Sequence, residues 1–295
     1  MPKHKPEVPQ EVYDLYDEYA HNKLDRRGFI ERLSAFAVGG LTVPALMSFV
    51  MPDYQGTIQI PEDDPRLKVE TVSYDSPKGG GKISGQLAMP AEMEGKLPGI
   101  VVVHENRGLN PYIADVGRRA ALAGFIAIAP DALSPLGGYP GTDDEGRTMQ
   151  RTRDREEMLQ DFIAAFETLK AHPNCTGKIG VVGFCFGGWV SNMMAVRVPE
   201  LGAAVPFYGS QPTAEETAQI EAPLMLQFGG LDKRVNAGWP DYETALMANQ
   251  KEYTANFYPG VNHGFHNDST SRYDEEAATL AWERTVAFFE AHLRR

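Results

Sequence analysis

The sequence is short of cysteine, of basic clusters and of long apolar runs. Its two cysteines, Cys175 and Cys185, make neither a disulfide framework nor a C-x-x-C metal or redox motif, so each thiol needs its own explanation. Lysines and arginines number 28 against 40 aspartates and glutamates, a net charge of −12, and no basic patch is longer than Arg26-Arg27 or Arg294-Arg295. A chain that neutralises a phosphate backbone needs the opposite balance, so nucleic acid is not an expected partner. There is no H-E-x-x-H motif and no internal repeat, and neither a metal nor a cofactor is expected. The 42% hydrophobic and 23% charged residues that remain are ordinary for a folded chain, which argues against disorder, collagen and a polytopic membrane protein.

The first 64 residues read as an extension to a main domain spanning 65–295. Residues 1–25 are polar and acidic, with a patch rich in Tyr, Asp and Glu from Glu11 to Tyr19. Asp25-Arg26-Arg27-Gly28-Phe29-Ile30 and the uncharged stretch from Leu33 to Val50 resemble a twin-arginine export signal. Gly39, Gly40 and Pro44 weaken a spanning helix there, and the competing reading is a retained apolar arm packed on the main domain or on a second copy of the chain. Location follows the same choice: cytoplasmic, or exported if the Arg26-Arg27 segment acts as a signal. Because the candidate chemistry lies beyond residue 64, the extension is expected to be dispensable for folding of the domain.

From Val69 the pattern alternates. Val69 to Tyr74 and Ile83 to Ala88 read as a hairpin around the turn at Pro77 to Gly81. Gly99 to Val103, Phe125 to Ala129, Ile179 to Gly183, Ala203 to Tyr208, Leu224 to Phe228 and Tyr253 to Tyr258 read as strands, most of them apolar on both faces. Helical spacing fills the intervals at Ile113 to Ala123, Arg151 to Ala171, from about Trp189, and Asp274 to Leu293, with a Gly-rich loop at Ser134 to Gly146. Strands alternating with helices predict an α/β fold, a mostly parallel sheet covered on both faces.

In such a sheet the functional loops lie past the carboxyl ends of the strands, and three of those ends carry unusual residues. Gly183-Phe184-Cys185-Phe186-Gly187-Gly188 matches the nucleophile elbow G-x-S-x-G with cysteine for serine, which would set a thiol at the start of a helix. Gly229-Gly230-Leu231-Asp232 ends another strand in an acid, and Asn262-His263-Gly264-Phe265 follows a third. A nucleophile attacking a carbonyl needs a base for its proton and an acid to orient that base, and Cys185, Asp232 and His263 occur in the order nucleophile, acid, base. Cys175, in a helix-to-strand loop, is read as a non-catalytic thiol, and a metal site of His104, His263 and His266 is the lesser alternative.

Together with His104-Glu105-Asn106-Arg107-Gly108-Leu109-Asn110, these motifs resemble the dienelactone hydrolase (carboxymethylenebutenolidase) family of α/β-hydrolases over roughly residues 69–295. The resemblance implies a thiol-dependent hydrolase of small esters or lactones working through an acyl-cysteine. It also implies that Glu105 takes the thiol proton when substrate arrives, and that the backbone N–H groups of Phe186 and Asn106 form the oxyanion hole. Family members are expected to hold a substrate carboxylate with arginines shortly after Pro130-Asp131 and four residues past the catalytic histidine. Here those places read Ala132 to Leu136 and Asn267. Arg107, Arg147 and Arg151 are the candidate replacements, and with no arginine at either expected place neutral esters should be used at least as well as anionic lactones. The reading from another class is a non-catalytic binding or scaffold protein on the same fold.

Overall fold

A computed structural model of the chain describes residues 8–21, 23–38 and 41–294. Strands β1 (Leu67–Ser76) and β2 (Gly81–Pro90) form the hairpin, in register from Leu67 opposite Pro90 to Ser76 opposite Gly81. They join β3 (Leu97–Val103), β4 (Ile126–Pro130), β5 (Cys175–Phe184), β6 (Ala203–Phe207), β7 (Leu224–Gly229) and β8 (Tyr253–Tyr258) in one eight-stranded sheet of order β1-β2-β4-β3-β5-β6-β7-β8. The run from β4 to β8 is parallel. The connection from β3 goes out to β4 on one side, whereas β5 enters on the other. A crevice therefore opens between the carboxyl ends of β3 and β5, the position where open parallel sheets bind ligands.

In the N-terminal region the helices are α1 (Gln10–Ala20), α2 (Arg26–Leu33) and α3 (Val43–Val50). The sheet is covered by α4 (Pro111–Leu122), α5 (Asp143–Gln150), α6 (Arg155–Lys170), α7 (Phe186–Arg197), the short α8 (Ala214–Thr217) and α9 (Lys233–Asn236), α10 (Trp239–Ala248) and α11 (Glu275–Leu293). Successive residues of a strand point to opposite faces, and β5 shows it: Val181 joins the core with Phe162 of α6 and Met193 of α7, Val182 the core with Val116 of α4 and Ala281 of α11. Burial on both faces is why these strands read as continuous apolar runs rather than alternating ones.

Two boundaries differ from the sequence reading, for local reasons. The helix expected from Arg151 to Ala171 starts later, at Arg155, where Asp154 caps α6 by accepting from the amides of Glu156 and Glu157, and a separate helix, α5, capped by Thr142 through Glu145 N, begins within the expected loop from Ser134 to Gly146. The helix after the elbow begins at Phe186 rather than near Trp189, because the turn at Cys185 leads straight into it.

The uncharged stretch from Leu33 to Val50 does not form one span; Thr42 caps a separate helix, α3, with Pro44 in its first turn. Gly39 and Gly40, read as helix-weakening, lie outside the described residues. No helix among the described residues is long and apolar enough to cross a membrane. Instead Val12, Leu15, Tyr16 and Tyr19, at the spacing of one helical face, pack with Phe29, Leu33, Leu46 and Val50 in a core of their own. That small core sits on the larger body: the Arg147 guanidinium stacks on Tyr19 and that of Arg272 on Tyr16.

Candidate active site

Cys185 is the single residue between β5 and α7, with φ 57° and ψ −109°. An L-residue adopts this conformation only when its surroundings enforce it. The enforcement is visible: its amide donates to the Phe207 carbonyl at 3.1 Å, and its carbonyl accepts from the amides of Gly188 and Trp189. The flanking glycines are required by close approach. A β-carbon at position 183 would lie 2.0 Å from the Gly187 carbonyl oxygen, and one at position 187 would lie 2.4 Å from that of Val103. The thiol thus stands at the crevice between β3 and β5, buried but for 9% of the residue's surface.

Past β7, the side chain of Asp232 caps α9 through Val235 N and accepts from His263 Nδ1 at 2.6 Å. Burial acts to raise the Asp232 pKa, but the charge and hydrogen bond of His263 outweigh it and hold the carboxyl below its ordinary range. Nδ1 is committed to Asp232, which leaves Nε2 as the nitrogen available for proton transfer; one ligating atom each of His21, Cys185 and His263 lies within 4.8 Å of the others. Cys185, His263 and Asp232 are thus brought together. Cys175 is elsewhere, buried at the start of β5, where burial pushes its thiol pKa up.

Glu105, which the resemblance gives the thiol proton when substrate arrives, is held here by two partners. Its Oε2 accepts from Asn267 Nδ2 at 2.8 Å and lies 3.9 Å from Arg107 Nε, the carboxylate being 1% exposed. Asn267 stands where a substrate-binding arginine was expected, and here it holds Glu105 instead. Asn106 and Phe186, the expected oxyanion pair, both line the cavity at the thiol, which has a volume of about 330 Å3.

None of the three arginines named from the sequence lines that cavity. Arg107 is buried against Asp143 at 2.7 Å, Arg147 donates to the Tyr19 carbonyl at 2.7 Å, and Arg151 is exposed at the end of α5. The guanidiniums that do line it belong to Arg155, stacked 3.5 Å over the Trp189 ring, and Arg234.

The residue that sequence reasoning missed is His21, at the C-terminus of α1, whose Nε2 lies 3.2 Å from Cys185 Sγ. Its ring crosses that of His263 edge-on at 4.8 Å between centroids. Its Nδ1 is 2.8 Å from the Asp17 carbonyl and 3.1 Å from Asp17 Oδ1; the ring hydrogen points to the carbonyl, and the carboxylate acts as a nearby charge. Burial acts to lower the His21 pKa, but the Cys185 charge and the Asp17 contact outweigh it, and the net shift is upward. The available signal was the helical spacing of Val12, Leu15, Tyr16 and Tyr19, which demands a packing partner for α1.

His21, Cys185 and His263 are also the one group of possible metal ligands among the described residues. Arg234 Nη2 sits 3.0 Å from His21 Nε2 and 3.2 Å from His263 Nδ1, so an added cation would face a guanidinium. His104 and His266 are spent elsewhere: His104 Nε2 accepts from Ala132 N at 3.1 Å, and His266 pairs with the Tyr112 hydroxyl at 2.8 Å.

A model of the dienelactone hydrolase family matches residues 83–293, and a YqhI-like model matches residues 1–38. The chain is 53% identical over 114 residues to the hydrolase fragment YghX of Escherichia coli (strain K12), covering 39% of this chain and 97% of that one. It is 31% identical over 255 residues to a protein of Saccharolobus solfataricus named as a carboxymethylenebutenolidase, covering 74% of this chain and 96% of the relative. A crystal structure from Klebsiella pneumoniae carrying the name dienelactone hydrolase superposes with a TM-score of 0.66 at 25% identity, over 75% of this chain and 98% of that one. With a family model covering most of its length, an α/β-hydrolase sheet and relatives of that name, the chain belongs to the dienelactone hydrolase family, hydrolases of carboxylic esters and lactones.

Proposed function

We propose that the protein cleaves small carboxylic esters or lactones through a thioester on Cys185. The observation that carries this reading is the thiol held at a strained β5–α7 turn, with the His263–Asp232 pair within reach and an open cavity beside it. The sulfur gives up its proton and attacks the acyl carbon; the C=O pair moves to oxygen, where the amides of Phe186 and Asn106 are the candidate donors. Collapse expels the alcohol and leaves the thioester. His263, oriented by Asp232, then takes a proton from water, whose oxygen attacks the thioester and releases the acid and the thiol.

Two features bear on the substrate. Tyr208 lines the cavity as an aromatic wall, its hydroxyl buried toward Tyr112. The expectation that neutral esters are used at least as well is revised here: Arg155 and Arg234 line the cavity and supply the positive charge that the family's expected positions lack, which favours an acyl or alcohol portion bearing a carboxylate. A size-matched panel of neutral and anionic esters tests the second point. Turnover blocked by iodoacetamide, with lower KM for the anionic members, supports the reading. Absence of turnover with any activated ester would leave a binding protein on a hydrolase fold.

A further inference from the structure

Cys185 lies between two imidazoles, and the one hydrogen-bonded to its sulfur comes from the N-terminal segment. We propose that His21 is a catalytic residue that takes the thiol proton of Cys185, so that the two half-reactions have separate bases: His21 for acylation and His263 for deacylation. The proposal rests on the thiol-ester reading above and deepens it.

Four observations carry it. His21 Nε2 is 3.2 Å from Sγ, whereas no hydrogen bond joins His263 to the sulfur among the described residues. The His21 tautomer is set: Nδ1 faces only acceptors, the carbonyl and the carboxylate of Asp17, so in the neutral ring the lone pair is on Nε2, which faces both the thiol at 3.2 Å and Arg234 Nη2 at 3.0 Å. Glu105, to which the resemblance gives the thiol proton when substrate arrives, is engaged by Asn267 and Arg107 in this structure and makes no hydrogen bond to the sulfur among the described residues. Finally, His21 is fixed by the hydrolase body itself, since Arg147 Nη1 donates to the Tyr19 carbonyl and Asn106 Nδ2 to the Ala20 carbonyl, both at 2.7 Å. The docked segment is a wall rather than a plug, because His21 lines a cavity that remains open beside the thiol.

Charges of both signs surround the pair. Asp17 of α1 faces the imidazole and offsets an imidazolium, and Arg272 lies 3.8 Å from its Oδ1; Arg234 of α9 contacts Asp17 Oδ2 through Nε at 3.0 Å and opposes the imidazolium through Nη2, 3.0 Å from His21 Nε2, while it and Arg155 of α6 set positive charge at the cavity that holds the sulfur. Those groups, with Cys185 and His263, are the titratable and charged ones facing His21. In the step itself the S–H bond breaks, its electron pair staying on sulfur, and the proton bonds to His21 Nε2. The thiolate then attacks the acyl carbon, and the departing alkoxide recovers the proton from His21. In deacylation, water gives its proton to His263 and its oxygen to the acyl carbon. The thiolate that leaves takes that proton back, restoring the starting state.

The test is alkylation of Cys185 by iodoacetamide from pH 5 to 9 in the wild type, His21→Gln and His263→Gln, which reads the thiolate directly. We expect a wild-type rate that persists at the acid end, a drop of about tenfold or more at pH 6 in His21→Gln, and persistence in His263→Gln. Added imidazole should restore the rate in His21→Ala; recovery would show that the lost group is a base and not a packing element. Loss of the acid limb in His263→Gln with its retention in His21→Gln would overturn the proposal, as would a profile unchanged by either. Should His21→Gln fail to fold, Asp17→Asn takes its place and must also weaken the acid limb. A retained acid limb in a wild type that hydrolyses no ester would refute the ester reading while leaving the His21–Cys185 pair standing.

Discussion

The two sides of Cys185 are built by different means. On one side His263 and Asp232 rise from the ends of β8 and β7, 5% and 4% exposed, and are joined by a single short hydrogen bond. On the other side His21 arrives on a segment with its own small core, tied to the body through Asp17, the carbonyls of Tyr19 and Ala20, and the Tyr19 hydroxyl bonded to Asp144. The first half is as stable as the sheet. The second depends on the docking, a set of polar and cation–π contacts between the segment and the body. The difference teaches that in this molecule the nucleophile and the residue touching it are coupled through tertiary contacts rather than through the fold that presents the nucleophile.

The largest expected effect cuts both sides at once. Cys185→Ala should lower kcat/KM for a chromogenic ester by at least about a thousandfold with an unchanged melting temperature, whereas Cys175→Ala should be silent. An inactive Cys175 variant would mean that the wrong thiol has been assigned. Next, Asp232→Asn breaks only the sheet side; kcat should fall by roughly two to four orders of magnitude, as for a triad histidine left in the wrong tautomer, while alkylation of Cys185 at pH 6 stays near the wild-type rate. Parallel losses in both assays would erase the division between the two sides.

Arg147→Ala acts on the other side alone. It removes a hydrogen bond and a stacked guanidinium worth about 1–2 kcal/mol together, enough to loosen α1 and slow alkylation at pH 6 by roughly three- to tenfold. Arg155→Ala should raise KM for a carboxylate-bearing ester about tenfold and leave the neutral one alone. The smallest effect is one of pH. The folded-state pKa of His21 is raised, so its contribution to stability is complete below its unfolded value of about 6.5 and is lost as pH rises through the folded one. Asp17 is depressed by the charges of His263, His21 and Arg234 acting against burial, so its contribution is lost in acid. The melting-temperature gap between wild type and His21→Gln should therefore narrow from pH 6 to pH 9, and a gap that widens would reverse the assigned sign.

The same division explains what was legible in the sequence. The elbow could be read because a strained turn needs glycines at fixed offsets from the nucleophile, and Gly183 and Gly187 are where neighbouring backbone leaves no room for a β-carbon. Asp232 and His263 could be read because each follows an apolar strand directly, so topology alone brings them to one end of the sheet. Nothing local marks His21. It sits 164 residues from Cys185 in an acidic stretch, and only the docking of α1 gives it a role. Glu105 was singled out only through the resemblance, and its partner could not be read, since Asn267 reaches it from 162 residues away. Of the arginines in the run from Arg147 to Arg155, nothing local separates Arg155 from Arg147 and Arg151; its place at the start of α6 and the Trp189 ring bring this one guanidinium to the cavity.

The central claim is that the acyl group is carried by Cys185, and it is tested most directly by trapping. His263→Gln, impaired in the step that consumes the thioester, is mixed with an activated acetate ester, quenched in acid and digested, and its peptides are weighed. The account predicts one acetyl group on the peptide containing Cys185, removed by hydroxylamine, and none on the peptide containing Cys175. An unmodified Cys185 in a preparation that still releases alcohol from the ester would contradict it.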